Sequence, residues 1–241
     1  MKFVLFDIDG TLLDSGGAGI RSLNLAFEEM FSIRSAFNTM SVAGKTDLQI
    51  IREGLKMHGV QSLDGTIPEF LDAYIRHLKK QVHAGKGHIK IGIPEALDML
   101  KSRDDCVLGL LTGNIQEGAM IKLEAFHLDS YFSTGAFGSD AEDRNELLPI
   151  AVDNLFKKNS LVIPYGDCVV IGDTPRDVYC SKPYGAFALA VATGPYSCRE
   201  LYESGADAVF ENLSDTQRFM AILQGRNNVL DEGKKISCPQ S

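Results

Sequence analysis

Short, uninterrupted apolar runs recur along the chain, each leading into a helical pattern. Phe3, Val4, Leu5 and Phe6 lead to Asp7, residues 107–111 lead to Thr112, and residues 169–172 lead to Asp173; residues 186–192 form another such run. A strand that is apolar throughout is buried on both faces, as in a parallel sheet covered by helices. The pattern therefore predicts an α/β fold, a Rossmann-like parallel sheet flanked by helices. Polar residues stand at the carboxyl end of each run, and in open α/β sheets that edge binds ligands. Asp7, Thr112 and Asp173 are thus expected at one edge.

Between residues 15 and 85 the pattern changes. No strand-like run occurs, and three amphipathic stripes follow one another: Ile20, Leu23, Phe27, Met30; then Leu48, Ile51, Leu55; then Leu71, Tyr74, Ile75, Leu78, Val82. The 3.6-residue spacing predicts helices. Glycines flank the stretch, Gly16 and Gly17 on entry, Gly85 and Gly87 on exit. The expected organisation is a catalytic core of residues 1–14 and 86–225, a small inserted helical cap over 15–85 that rocks on two flexible crossings, and a polar, frayed tail over 226–241. Arg21 and His58 read as plain helix-surface positions.

Charge narrows the partners. The 24 basic and 32 acidic residues give a formal charge of −8, which argues against nucleic acid or an anionic membrane as partner. No apolar run is long enough for a membrane span, and acidic residues interrupt the N-terminus too early for a signal peptide. The five cysteines are odd in number and never at CxxC spacing, so they read as free thiols of a cytoplasmic protein. Oligomeric state has no signature.

The chemistry begins at DIDGT, residues 7–11. Two carboxylates two residues apart after a buried strand need a compensating cation. A hard divalent ion such as Mg²⁺, held through oxygens, suits them. One carboxylate can attack phosphorus while the other serves as acid and then base. An EF-hand loop is disfavoured, because Leu13 and Ala18 fall at positions that need other residues.

DIDGT followed by LLDS resembles the first motif of the haloacid dehalogenase superfamily, and the other motifs follow in order over essentially the whole chain. The resemblance implies a Rossmann-like core with a helical cap inserted after the first motif. It makes Asp7 the nucleophile and Asp9 the general acid/base, with Mg²⁺ held by Asp7, the Asp9 backbone carbonyl and Asp173. The second motif ends Thr112, Gly113, Asn114; a hydroxyl and closely spaced N–H groups at a helix start suit phosphate oxygens. Asn114 with Glu117 also reads as a helix N-cap and its reciprocal partner. In GDTPRD, residues 172–177, Thr174 and Pro175 signal a helix start. Asp173 then faces the metal, and Asp177 supports the metal shell or the helix dipole.

Where the family usually has a lysine that neutralises the phosphoryl group, this chain reads FGSDAEDRNELL and offers Arg144. Lys157 and Lys158 lie about 20 Å further along the same expected helix, at 1.5 Å per residue. Within the cap, Thr46 reads equally as a helix cap or a substrate contact, and Lys45 as the residue most suited to meet an anionic substrate. Dehalogenases of this kind lack the second aspartate, present here as Asp9. Phosphonatases carry a small residue at that position and use a cap lysine, and β-phosphoglucomutase has a histidine where this chain has Gly19. The overall pattern is most similar to phosphoglycolate-phosphatase-like enzymes. It implies Mg²⁺-dependent hydrolysis of a small phosphorylated metabolite through an aspartyl-phosphate. The alternatives are mutase-like phosphoryl transfer and, from another class, a phosphate-binding or signalling module without turnover.

Overall fold

The structure is a computed structural model that describes residues 1–225 and, in backbone, Ile236–Ser237. The rest of the expected 226–241 tail lies outside the described residues.

Strand β1 (Lys2–Phe6) carries the first apolar run and sits in the middle of a parallel sheet. It pairs on one side with β4 (Cys106–Leu111) and on the other with β6 (Cys168–Gly172). Beyond β4 lies the two-residue β5 (Gly135–Ala136). Beyond β6 come β7 (Phe187–Val191) and β8 (Ala208–Phe210). Ile236–Ser237 adds a short strand, β9, at the β8 edge.

Residue-by-residue alternation explains why these strands are apolar throughout. Val4, Phe6, Leu110 and Ile171 point into a core closed by Leu97, Leu123 and Phe219 of helices α4 (Ile93–Lys101), α5 (Gln116–Ala125) and α9 (Thr216–Leu223). Phe3, Leu5 and Val170 point the other way, against Leu148, Ala151 and Leu155 of α6 (Leu147–Asn159). Both faces are dry, so neither can carry polar residues. Helices α7 (Pro175–Ser181) and α8 (Cys198–Glu203) follow β6 and β7. Successive strands leave β1 in opposite directions, which opens a crevice at its carboxyl end.

Helices α1 (Ala18–Phe31), α2 (Asp47–Met57) and α3 (Thr66–Gln81) pack around a core of their own. Phe27 is at its centre, edge-on to Phe37 and Phe70 at 5.3 and 6.0 Å. The third stripe is buried at Tyr74, Ile75, Leu78 and Val82; in the second, Ile50 rather than Leu48 joins Ile51 and Leu55 inside.

The two crossings between this helical layer and the sheet are tied together. β2 (Leu13–Asp14) pairs antiparallel with β3 (His88–Ile89). Arg21, which has no signal in the sequence pattern, donates from its guanidinium to the Gly16 carbonyl, the Gln81 side chain at 2.9 Å and the Gln81 carbonyl at 3.2 Å. His58 meets the Ala36 carbonyl at 2.9 Å. Cys106, Cys168 and Cys180 are free thiols. Cys198 is disulfide-bonded, which corrects the expectation of free thiols throughout; linear spacing carries no information about which sulfurs meet in space. Among the described residues no helix is long and apolar enough to cross a membrane.

Candidate active site

Asp7 is the first residue past β1, and its backbone N–H donates to the Ile171 carbonyl at 2.9 Å, which locks the strand end beside β6. The chain then turns at Gly10, whose φ is +86°. A Cβ there would overlap the Asp173 carboxylate. The glycine thus answers two needs, a left-handed turn and close approach of backbone to a carboxylate. Thr11 donates to Asp173 Oδ1 at 3.0 Å. Asp7, Asp173 and Asp177 are buried, with one carboxylate oxygen from each within 4.8 Å of the others.

Such crowding has a measurable electrostatic signature. Burial, with the Asp177 and Asp9 charges, pushes the Asp7 carboxyl up to about 6 against the opposing pull of Arg144. Burial, then Asp177 and Asp7, holds Asp173 well above the ordinary carboxylate range. Three buried acidic side chains with oxygen donors only, and repulsion to relieve, fit a hard divalent cation such as Mg²⁺.

Asp177 divides its carboxylate between two tasks. Oδ2 accepts from the Thr174 N–H at 3.0 Å and hydroxyl at 2.7 Å, which sets the start of α7. Oδ1 takes the Arg144 guanidinium. Arg144 is only 4% exposed and stands 3.2 Å from Asp7 Oδ1. Burial alone would lower its pKa, but Asp177 and Asp7 outweigh that and hold the guanidinium above its ordinary value. It also donates to the carbonyl of Gly44 at 3.2 Å. Its Nε is buried without a hydrogen-bond partner among the described residues.

The second motif is brought to the same edge, with one correction. Asn114 does not cap α5; the helix has Ile115 at its N-cap position, with no side-chain cap bond there. The Ile115 N–H instead donates to Asp47 Oδ2 at 2.9 Å, from the helical layer. Asn114 instead reaches inward, where Nδ2 donates to Asp9 Oδ2 at 2.8 Å and to Thr112 Oγ1 at 2.9 Å. Thr112 is fully buried.

Gly113 lies against the segment that starts α2. Its carbonyl accepts from the Asp47 N–H at 2.7 Å, and a Cβ on it would overlap the Lys45 carbonyl oxygen. Thr46 caps α2 through the Gln49 N–H at 3.2 Å, as its sequence position suggests, and its hydroxyl donates to the Glu142 carbonyl at 2.7 Å. Lys45 lines the site but is ion-paired with Glu53 at 2.5 Å.

Sequence reasoning missed Lys122. This side chain on α5 is 3% exposed and donates to Asp9 Oδ2 at 2.5 Å and Asn114 Oδ1 at 2.6 Å. A signal did exist: Gly118, Ala119, Lys122 and Leu123 share the buried face of α5, so a lysine falls where the spacing demands an apolar residue. Lys90 was also missed; it lines the site and donates to the Thr193 carbonyl at 2.8 Å.

These groups surround a cavity of about 480 Å³ between the sheet edge and the helical layer. Its floor holds Asp7, Asp9 and Asp173, and Ile20, Leu23, Val42 and Ile50 give it an apolar wall. Lys157 and Lys158 do not line it.

Residues 4–191 match the sequence model of the haloacid dehalogenase-like hydrolases. A phosphoglycolate phosphatase from Aliivibrio fischeri is 24% identical over 213 residues, covering 87% of this chain and 92% of the relative. A hydrolase structure from Pseudomonas syringae superposes with a TM-score of 0.70 at 21% identity, covering 92% of this chain and 99% of the other. CbbY from Rhodobacter sphaeroides, in complex with phosphate, does so with a TM-score of 0.69 at 17% identity, covering 89% and 96%.

Proposed function

This chain belongs to the haloacid dehalogenase-like hydrolases and is a phosphoric monoester hydrolase; we propose that it cleaves a small phosphorylated metabolite through an aspartyl-phosphate on Asp7. The observation that carries this reading is a buried Asp7 carboxylate at a strand end, 3.2 Å from a buried arginine and beside Asp173. In this reading an Asp7 oxygen attacks phosphorus and the ester P–O bond breaks. The departing oxygen takes a proton from Asp9. Asp9, now a carboxylate, takes a proton from water as that water attacks the phosphoryl group, and the Asp7–phosphorus bond breaks. The products are an alcohol and inorganic phosphate.

Arg144 lines the cavity beside Asp7, so its guanidinium answers the charge of the phosphoryl group that Asp7 receives. A planar guanidinium can offer two parallel donors, as lysine cannot. Asp177 holds that guanidinium in place. Asp7, Asp173 and the Asp9 backbone carbonyl would hold Mg²⁺, which when bound offsets the negative charge of carboxylates and phosphate. Gly113 and Asn114 form the phosphate-facing wall, and Thr112, buried behind them, acts through Asn114. Residues 15–85 act as a cap, whose Lys45 and apolar wall meet the leaving group. The similarity to phosphoglycolate phosphatases supports a phosphoglycolate-like ester as substrate, in a cytoplasmic setting.

The test is phosphate release from p-nitrophenyl phosphate with and without Mg²⁺. Turnover should need Mg²⁺ and vanish in Asp7→Asn. Absence of turnover on every phosphomonoester in a metabolite panel, with Mg²⁺ bound, would refute the reading.

A further inference from the structure

We propose that Lys122 is a positioning residue for Asp9, selecting which carboxylate oxygen exchanges the proton with the leaving group. The inference rests on the phosphatase reading above and adds to it a residue outside the four motifs.

A lysine ammonium is strongly hydrated and rarely buried without partners that answer its charge. Lys122 is 3% exposed, yet it takes no part in holding Asp7, where Arg144 already stands. The two buried cations of the cavity lining therefore stand apart, Arg144 beside the nucleophile and Lys122 beside Asp9. An ammonium has three donors and no acceptor. Lys122 spends one on Asp9 Oδ2 at 2.5 Å and one on Asn114 Oδ1 at 2.6 Å.

The second bond has a consequence for the first. Because Asn114 Oδ1 faces the ammonium, its Nδ2 is turned to Asp9 Oδ2, at 2.8 Å. Both donors converge on the same oxygen. Among the described residues Oδ1 of Asp9 takes no hydrogen bond, and Asp9 lines the cavity with its side chain 43% exposed. With Oδ2 occupied by two N–H donors, the proton passed to the leaving oxygen resides on Oδ1.

The surroundings are shaped for the ammonium. A Cβ on Gly19 of α1 would lie 3.4 Å from Lys122 Nζ and 3.9 Å from the Tyr74 hydroxyl. Any larger side chain there would compete for that space. Asp47, whose N–H and carboxylate dock the start of α2 on the second motif, lies close enough to Lys122 to feel its charge. The ammonium thus sits between the acid/base residue and a face of the helical layer that carries Gly19 and Asp47.

The test uses leaving groups of graded acidity. A well-placed acid matters most when the departing oxygen is a poor leaving group. The specificity constant kcat/KM reports that step, since it covers events through leaving-group departure. In Lys122→Met, kcat/KM for phenyl phosphate should fall at least tenfold more than for p-nitrophenyl phosphate. Adding Lys122→Met to Asp9→Asn should change neither value further. Lys122→Arg should recover part of the lost discrimination. Equal losses on both esters, with the fold intact by circular dichroism, would overturn the proposal while leaving the phosphatase reading in place. If wild-type protein with Mg²⁺ hydrolyses neither these esters nor any phosphomonoester of the metabolite panel, it is the phosphatase reading that fails, and this inference with it. Should the methionine variant not fold, Lys122→Gln and Lys122→Arg carry the same comparison.

Discussion

At the scale of single residues, Arg144 shows how one side chain is made into a fixed charge. Asp177 grips its guanidinium, Asp7 faces it at 3.2 Å, and the Gly44 carbonyl accepts from it. Burying an arginine so completely is tolerated only because two carboxylates answer it. Removing a preorganised donor of this kind costs about 10²–10³ in turnover. Arg144→Ala should therefore lower kcat by about that factor in steady-state assays, with Arg144→Lys falling between it and wild type. Turnover close to wild type in the alanine variant would move the charge-neutralising role elsewhere. The position of Arg144 was legible because a basic residue stands at the start of an expected helix. Its grip on Asp177 was not, since the two are 33 positions apart and meet only across the sheet edge.

At the scale of elements, the contact between the second motif and the start of α2 joins the helical layer to the sheet. The Asp47 N–H donates to the Gly113 carbonyl, and the Asp47 carboxylate receives the Ile115 N–H. No side chain fits between Gly113 and Lys45. Gly113→Ala should push these segments apart. The expected result is a rise in KM, faster amide exchange across residues 44–50, and little change in the exchange of β1 or β6, measured by hydrogen–deuterium exchange. Unchanged exchange over 44–50 would show that the contact yields without cost. The three amphipathic stripes made the helices of this layer readable in advance, because burial against a common core enforces the 3.6 period. The partner of the Ile115 N–H at the start of α5 was unreadable. It is Asp47, 68 residues away, where sequence pattern offers only the neighbouring Asn114.

At the scale of the whole molecule, buried carboxylates make stability depend on pH and on cations. Burial, against the pull of Lys122, pushes the Asp47 carboxyl up to about 6 from an ordinary 3.8. A group that binds its proton more tightly when folded contributes stability in full below its unfolded pKa, and loses it as pH rises through the folded value. Asp47 therefore weighs against the fold above about pH 6. Asp47→Asn should stabilise the protein at pH 8 by on the order of 2–3 kcal/mol at 1.36 kcal/mol per unit, and hardly at all near pH 4. Denaturant melts at the two values check this; equal effects at both would contradict it. Asp7 and Asp173 repel in the same way. Saturating Mg²⁺ should raise the melting temperature at pH 8, as any ligand of the native state does, and Asp173→Asn should lose most of that gain.

The sequence by itself determined the α/β class, the run of strands that carry Asp7, Thr112 and Asp173 to one edge, and the helical stretch between the first motif and the rest. Each of these follows from local periodicity or from residues adjacent in the chain. Only the tertiary structure decided which groups meet: Arg144 with Asp177, Asp47 with Ile115, Arg21 with both crossings, and Lys122 with Asp9. The reason is physical. A charge buried in the fold is stable only beside its partner, and that partner is chosen by the packing of distant elements, which no linear pattern records.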